Sequence, residues 1–110
     1  MASKYNYCLT KKAEFDLDEI VSYFANDLAN QQSASDFISN ILNNIDQIRI
    51  FPESGSIVQN EFLQVDSIRK KLVDNYIMYY TVNMEEKKIY ILRIVYGKRN
   101  MDEILKNLNI

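Results

Sequence analysis

Apolar residues recur every three or four positions through the first half of the chain, a spacing typical of helices that bury one face. The first stripe comprises Ala13, Leu17, Ile20, Val21, Phe24 and Leu28. The second stripe comprises Phe37, Ile38, Ile41, Leu42, Ile45 and Ile48. Thr10 is placed to cap the first helix, Ser33 or Ser35 the second, and Pro52 and Gly55 end the second stripe. The short connection between the stripes predicts an antiparallel helical hairpin.

Strand-forming residues dominate the second half. Residues 67–73, 76–82 and 88–96 are rich in β-branched and aromatic side chains, and Asp74-Asn75 and Glu85-Glu86-Lys87 separate them as turns. They predict an antiparallel meander, preceded by a short N-terminal strand over residues 4–9. Asn100 followed by Glu103 resembles a capping box and predicts a short C-terminal helix.

The element order is therefore β-α-α-β-β-β-α, an α+β fold in which the N-terminal strand and the helical hairpin pack on a small antiparallel sheet. We expect burial of Leu17, Ile20, Phe24, Ile41, Leu42 and Ile45, together with Ile91 or Leu92. In the last strand, strict alternation would place every second residue on one face of the sheet: Ile89, Ile91, Arg93 and Val95.

Composition narrows the possible functions. A chain of 110 residues fits a single domain, 1–110, with one cysteine, Cys8, and no histidine. Neither an internal disulfide nor histidine-based catalysis is available, and we expect no metal and no cofactor. No stretch has the length of a membrane span or the character of a signal peptide, so we expect a cytoplasmic protein without a membrane partner.

Charge is unevenly distributed along the chain. Residues 1–66 carry a net charge of −6, residues 67–99 carry +5 and residues 100–110 carry −1, giving −2 overall. This separation indicates a localised contact surface or a chance imbalance on solvated faces.

The cations offer the first candidates for function. Arg69, Lys70 and Lys71 either grip a phosphate backbone or an acidic partner, or protect an edge strand from aggregation. Arg93 lies within an apolar strand, where a guanidinium must pair with a helix carboxylate or open onto a surface. Lys98 and Arg99 follow that strand and extend the basic region.

Tyrosines and helix carboxylates are the second group of candidates. The tyrosines are Tyr76, Tyr79, Tyr80, Tyr90 and Tyr96. Beside arginines they can stack on bases or anchor a protein interface, Tyr76 and Tyr80 foremost. The favoured alternative is that they are core residues with their hydroxyls at the rim. Asp16, Asp18 and Glu19 perform acid–base work, hold a cation or form a solvated helix N-terminus, and the solvated role is favoured.

Several segments, in their order and spacing, resemble the RelE/ParE superfamily of toxins from bacterial toxin–antitoxin pairs. They are Leu9-Thr10, the run from Lys12 to Ile20, Phe51-Pro52-Glu53-Ser54-Gly55, Ile68-Arg69, the run from Asp74 to Val82, and the run from Ile91 to Asn100. The resemblance spans nearly the whole chain. It implies a helical hairpin on a small sheet and a cognate antitoxin that wraps the toxin.

The two branches of the superfamily imply different activities. RelE-like members cleave messenger RNA on the ribosome, whereas ParE-like members block DNA gyrase. Arg99 matches a phosphate-stabilising arginine of the nucleases, but Ile77 and Leu105 stand where they use an arginine and a tyrosine. The chain resembles the ParE-like branch better. The shared features are the Ala-x-x-Asp-Leu start of the first helix, the Pro-x-x-Gly turn and an arginine within the last strand, here Arg93.

The resemblance therefore implies a non-catalytic toxin that binds DNA gyrase. Its contact residues for target or antitoxin would be Arg69, Lys70, Lys71, Tyr76, Tyr80, Arg93, Lys98 and Arg99. The alternatives are a RelE-type ribonuclease acting on ribosome and mRNA, with Arg99 catalytic, and a weakly toxic module that mainly binds its antitoxin.

Overall fold

Two helices pack on a five-stranded sheet in the computed structural model, which describes residues 4–58 and 68–98. The helices are α1, Lys11–Ser22, and α2, Gln31–Ile50. The strands are β1, Asn6–Leu9; β2, Ser56–Ile57; β3, Ile68–Val73; β4, Tyr76–Asn83; and β5, Lys88–Tyr96. The predicted α+β class is thus confirmed. The predicted C-terminal helix and Arg99 lie outside the described residues.

Helix α1 begins where the sequence predicts, because the Thr10 hydroxyl accepts a hydrogen bond from the Ala13 amide at 3.2 Å. The helix then widens into a π-helical turn, Tyr23–Asp27, in which the Leu28 amide donates to the Tyr23 carbonyl at 3.0 Å. Turns of this kind interrupt regular helices and are frequent at functional sites.

Helix α2 starts earlier than predicted. Its cap is Asn30, whose side-chain oxygen accepts from the Ser33 amide at 3.0 Å, so the prediction of Ser33 or Ser35 as the cap was wrong. The buried face of this helix consists of Ala34, Phe37, Ile41, Ile45 and Ile48. Leu42 was expected inside but is 48% exposed, because it lies about 100° around the helix from Ile41 and outside the face that meets the sheet.

The sheet is mixed rather than wholly antiparallel. Its strand order is β1-β5-β4-β3-β2, and β3, β4 and β5 form the predicted antiparallel meander. The N-terminal strand β1 instead runs parallel to β5, with Asn6 opposite Lys88 and Leu9 opposite Ile91. A parallel pair needs a long crossover, and the helical hairpin with the strands that follow supplies it.

A β-bulge interrupts the alternation along β5. Tyr79 pairs with Arg93, but its neighbour Tyr80 pairs with Ile91, so β5 contains one extra residue there. The predicted common face was therefore wrong: Ile91 packs toward the helices, while Val95 belongs to the cluster on the opposite face.

The core has two parts, one on each side of the sheet. On the helix side, Ala13 and Ile20 of α1 and four α2 residues, Phe37, Ile41, Ile45 and Ile48, pack against strand residues. Those strand residues are Val73, Met78, Tyr80, Ile89, Ile91 and Ile94. The opposite side buries Val58, Ile68, Tyr79, Leu92 and Val95. Leu17 and Phe24 are half-buried beside the first cluster. Neither helix in residues 4–58 is long and apolar enough to span a membrane, and residues 68–98 hold none.

Candidate functional site

The cations of β3 divide between the two faces of the sheet. Arg69 lies opposite Tyr80 and therefore on the helix side, whereas Lys70 lies opposite Tyr79 on the other side. Strand β2 pairs with β3 at both of these cations. One of the two alternatives offered from the sequence, that β3 is an edge strand at these positions, was therefore wrong. The three neighbouring positive charges consequently do not form one patch.

Arg69 and Lys71 secure the turn that follows α2. The Arg69 guanidinium donates to the carbonyl oxygens of Gly55 at 2.7 Å and Glu53 at 3.2 Å. The Lys71 ammonium donates to the Ser54 hydroxyl at 3.2 Å. The Arg69 bonds satisfy two backbone carbonyls of this turn, and the Lys71 bond adds a side-chain contact to its short 3-10 helix, Pro52–Ser54. Lys70 is exposed.

Tyr80 belongs to the interior and not to a contact surface. Its hydroxyl donates to the Pro52 carbonyl at 2.7 Å and accepts from the Gly55 amide at 2.9 Å, and the residue is fully buried. Burial raises the pKa of Tyr80, although the hydrogen bond from Gly55 opposes that shift. Its predicted role as a partner contact was therefore wrong, since no partner reaches this side chain in the folded chain.

Gly55 is required by this arrangement. A Cβ atom there would stand 2.5 Å from the Tyr80 hydroxyl oxygen and 2.8 Å from the Lys70 carbonyl oxygen, closer than real Cβ contacts allow. The Pro-x-x-Gly turn noticed in the sequence is thus a consequence of close packing against β3 and β4.

Arg93 forms an ion pair with the first helix. Its Nε and Nη2 atoms donate to the two Asp16 carboxylate oxygens at 2.7 and 3.1 Å, and the Ile94 amide donates to Asp16 at 3.0 Å. The two side chains are only 14% and 10% exposed. The ion-pair alternative for Arg93 is confirmed, and the prediction that Asp16 is solvated was wrong.

Tyr76 occupies an aromatic cluster at the end of the sheet where β4 begins and β5 ends. Its ring lies 5.0 Å from Phe37, 5.6 Å from Tyr96 and 6.4 Å from Phe24, in edge-to-face arrangements. Burial, and then the neighbouring Tyr23 and Tyr96, raise the pKa of Tyr76. Lys98 is exposed just beyond the same end.

An apolar surface that the sequence did not single out lies at the other end of the sheet. A pocket of about 600 Å³ opens there between the end of α2 and the end of β4. Large exposed side chains border it: Ile50, Phe51, Ile57 and Met84, with Phe51 and Met84 69% and 68% exposed. We call these four residues the apolar surface. They are scattered in sequence and share no periodicity, so no pattern could have grouped them.

No group of three or more histidine, cysteine, aspartate or glutamate side chains is placed to hold a metal ion within residues 4–58 and 68–98. The side chains described above present aromatic rings, apolar groups and single charges.

Two solved toxin–antitoxin structures share this architecture. The chromosomal ParDE system from P. aeruginosa has a chain that matches with a TM-score of 0.68 at 21% identity, covering 88% of this chain and all of that one. The RelBE2 toxin–antitoxin complex from Mycobacterium tuberculosis matches with a TM-score of 0.58 at 14% identity, covering 84% and 98%. The fold is that of the RelE/ParE toxin superfamily.

The family follows from the sequence match. The model describing the ParE toxin of the type II toxin–antitoxin system parDE matches residues 7–101, so the chain belongs to the ParE family of type II toxins. A search of curated proteins found no match.

Proposed function

We propose that this ParE-family toxin arrests growth by binding DNA gyrase without breaking a covalent bond, and that a cognate antitoxin neutralises it. The observation that carries the proposal is Ile77, which stands where RelE-like nucleases place an arginine and is half-buried against the second core cluster. An apolar side chain there supplies no charge to a reacting phosphate.

The surrounding cations support the same conclusion. Cleavage of RNA through its 2′-hydroxyl needs a general base or acid and positive charge on the developing phosphorane. Arg69 and Lys71 donate to the turn, Arg93 is paired with Asp16, and the sequence has no histidine. Losing a general base costs about 10²–10⁴-fold in rate and losing one stabilising donor costs about 10²–10³-fold.

The apolar surface supports an antitoxin partner. Exposed patches of large apolar residues mark interaction sites, and an amphipathic helix can fill such a groove with side chains at helical spacing. The two similar structures come from toxin–antitoxin systems. A stable complex should bury at least about 1,200 Å² in total.

Induced expression in cells tests the mechanism. We expect growth arrest with a DNA-damage response, no messenger cleavage at ribosomal A sites, and inhibition of purified gyrase by the purified toxin. Arg99→Glu, which reverses a charge predicted to contact the target, should abolish arrest and leave the thermal unfolding midpoint unchanged. Lys4→Glu, which reverses an exposed charge at the other end of the sequence, should retain arrest.

Other outcomes would identify the alternatives. Codon-specific cleavage without a DNA-damage response would refute gyrase binding and favour a RelE-type ribonuclease. Absence of arrest by the wild type would leave a weakly toxic antitoxin-binding module. Coexpression with the protein encoded by the adjacent gene should restore growth and yield a copurifying complex, and failure to associate at micromolar concentration would contradict the antitoxin proposal.

A further inference from the structure

A small pocket lies between α1 and the end of β5, far along the sheet from the apolar surface. It exists because β1 covers β5 only as far as Ile91, and α1 lies beside the remainder of that strand. Its walls are Asp16, Glu19, Tyr23, Tyr76 and Tyr96, above a floor that includes Ile20 and Ile94. We call it the tyrosine pocket.

Three phenol rings from three different elements line this pocket and determine its electrostatic potential. Tyr23 belongs to the π-helical turn, Tyr76 opens β4 and Tyr96 closes β5. Tyr23 and Tyr96 are substantially exposed, and none of the three hydroxyls forms a hydrogen bond with another residue in the described ranges. Aromatic faces carry negative electrostatic potential, so the rings and hydroxyl oxygens together favour a positively charged guest.

The carboxylates add a net negative charge. Asp16 is already paired with Arg93, but Glu19 is exposed and makes no ion pair within residues 4–58 and 68–98. Among residues 4–58 and 68–98, no lysine or arginine lines the tyrosine pocket. The nearby cations Lys11, Lys12 and Arg93 line a neighbouring cleft, which Asp16 and Glu19 also border.

The volume of the tyrosine pocket limits the size of the group that it can bind. The pocket is an open depression of about 190 Å³, smaller than the roughly 300–1,000 Å³ typical of small-molecule sites. A single amino-acid side chain is a ligand of a size that fits this pocket. A guanidinium is planar, stacks on aromatic rings and forms paired hydrogen bonds with a carboxylate, whereas an ammonium does neither.

We propose that the tyrosine pocket binds the guanidinium of an arginine presented by a protein partner, with Glu19 as its counter-ion and the tyrosine rings as its walls. The proposal is independent of gyrase binding, because it concerns a side-chain subsite and requires no particular target. It also assigns the partner a chemical feature, an arginine exposed on the surface that meets α1 and β5.

The test uses capped arginine, acetyl-arginine-amide, titrated into the full chain and followed by NMR through the amides of Glu19 and Tyr96. We expect localised, saturable shifts with a dissociation constant in the millimolar range. Capped citrulline has the same shape without the charge and should give no saturable shift. Capped lysine should bind several times more weakly than capped arginine.

Variants identify the residues responsible. Glu19→Gln should weaken binding of capped arginine about threefold to fivefold, the range expected for an exposed charge pair, and Tyr96→Leu should weaken it by a similar factor. Glu14→Gln removes an exposed carboxylate from the same helix outside the pocket and should leave binding unchanged. Equal binding of arginine and citrulline, equal effects of the two glutamate variants, or no saturation by the wild type would each overturn the proposal.

Discussion

Asp16 illustrates how one side chain can take the place of a missing strand. Strand β1 ends at Leu9, so no described strand neighbours β5 on that side beyond Ile91. The Asp16 carboxylate reaches across from α1 and accepts hydrogen bonds from the Ile94 amide and the Arg93 guanidinium. The bulge in β5 and the ion pair therefore belong to one local arrangement. In it, a carboxylate of α1 accepts the hydrogen bonds that an irregular stretch of β5 donates.

Neutralising this carboxylate should be costly. Asp16→Asn retains an acceptor for the Ile94 amide but leaves the largely buried Arg93 charge uncompensated. Removing one partner of a buried pair typically costs about 3–5 kcal/mol, and we expect the lower end of that range for Asn. Urea denaturation of the variant measures the change in the free energy of unfolding.

Asp18→Asn is the matched control, because Asp18 lies on the same helix, is exposed and makes no ion pair within the described ranges. Its effect should remain within about 0.5 kcal/mol. Similar losses for Asp16→Asn and Asp18→Asn would contradict the structural role given to the ion pair.

At the scale of elements, α2 distinguishes a core face from its flank. Ile41 and Leu42 are adjacent in sequence and equally apolar, but Ile41 is 1% exposed whereas Leu42 is about half exposed. Apolar periodicity assigns both to one stripe, since it cannot tell how wide a face the sheet will cover.

Truncating Ile41 and Leu42 to alanine should lower the free energy of unfolding by different amounts, because their environments differ. Ile41→Ala should lower the free energy of unfolding by about 2–5 kcal/mol, because it leaves a cavity against the sheet. Leu42→Ala should lower it by about 1 kcal/mol or less, because only part of the side chain leaves an apolar environment. Chemical denaturation of both variants checks the difference, and equal losses would place Leu42 in the core after all.

Local signals predicted most elements, and nonlocal contacts account for the errors. Thr10 capping, the Asp74-Asn75 turn and the limits of β5 follow from nearby residues, and the structure confirms them. The parallel pairing of β1, the bulge and the ties between β3 and the turn after α2 depend on residues far apart in sequence. Propensity and alternation contain no information about such partners.

The candidate site was less predictable for the same reason. Arg69, Lys70 and Lys71 read as one basic patch, yet strand alternation and the carbonyls of Glu53 and Gly55 give them different roles. The ion pair of Arg93 was anticipated as an alternative because an apolar strand cannot accommodate an isolated guanidinium. Its partner could not be chosen among several helix carboxylates until the helix was placed.

For the molecule as a whole, buried tyrosines should set an alkaline limit to stability. Burial raises the pKa of Tyr76, Tyr79 and Tyr80 in the folded protein, while an unfolded tyrosine ionises near about pH 10. The unfolded state therefore loses protons first as pH rises. The free energy of unfolding should be fully retained below that pH and should fall as pH rises through it toward the folded pKa values.

Urea denaturation at about pH 9 and about pH 11 measures this fall. Tyr76→Phe, which removes a hydroxyl that makes no hydrogen bond with another described residue, should reduce the drop between the two pH values. Lysines titrate in the same range but are identical in both proteins, so the comparison isolates the tyrosine. An unchanged drop in Tyr76→Phe would show that Tyr76 does not contribute.

The parallel pairing of β1 with β5 has a consequence for synthesis. Tyr7 lies opposite Ile89, so β1 leaves the ribosome long before β5, the last described strand, which is its neighbour in the sheet. The Asp16 carboxylate likewise meets its partners only after Ile94 has emerged. Contacts between such distant positions slow folding, because a long loop must close before they form. At roughly 5–20 residues per second, several seconds separate the two strands. A nascent chain that has released β1 but not β5 therefore lacks both the complete described sheet and the partners of Asp16.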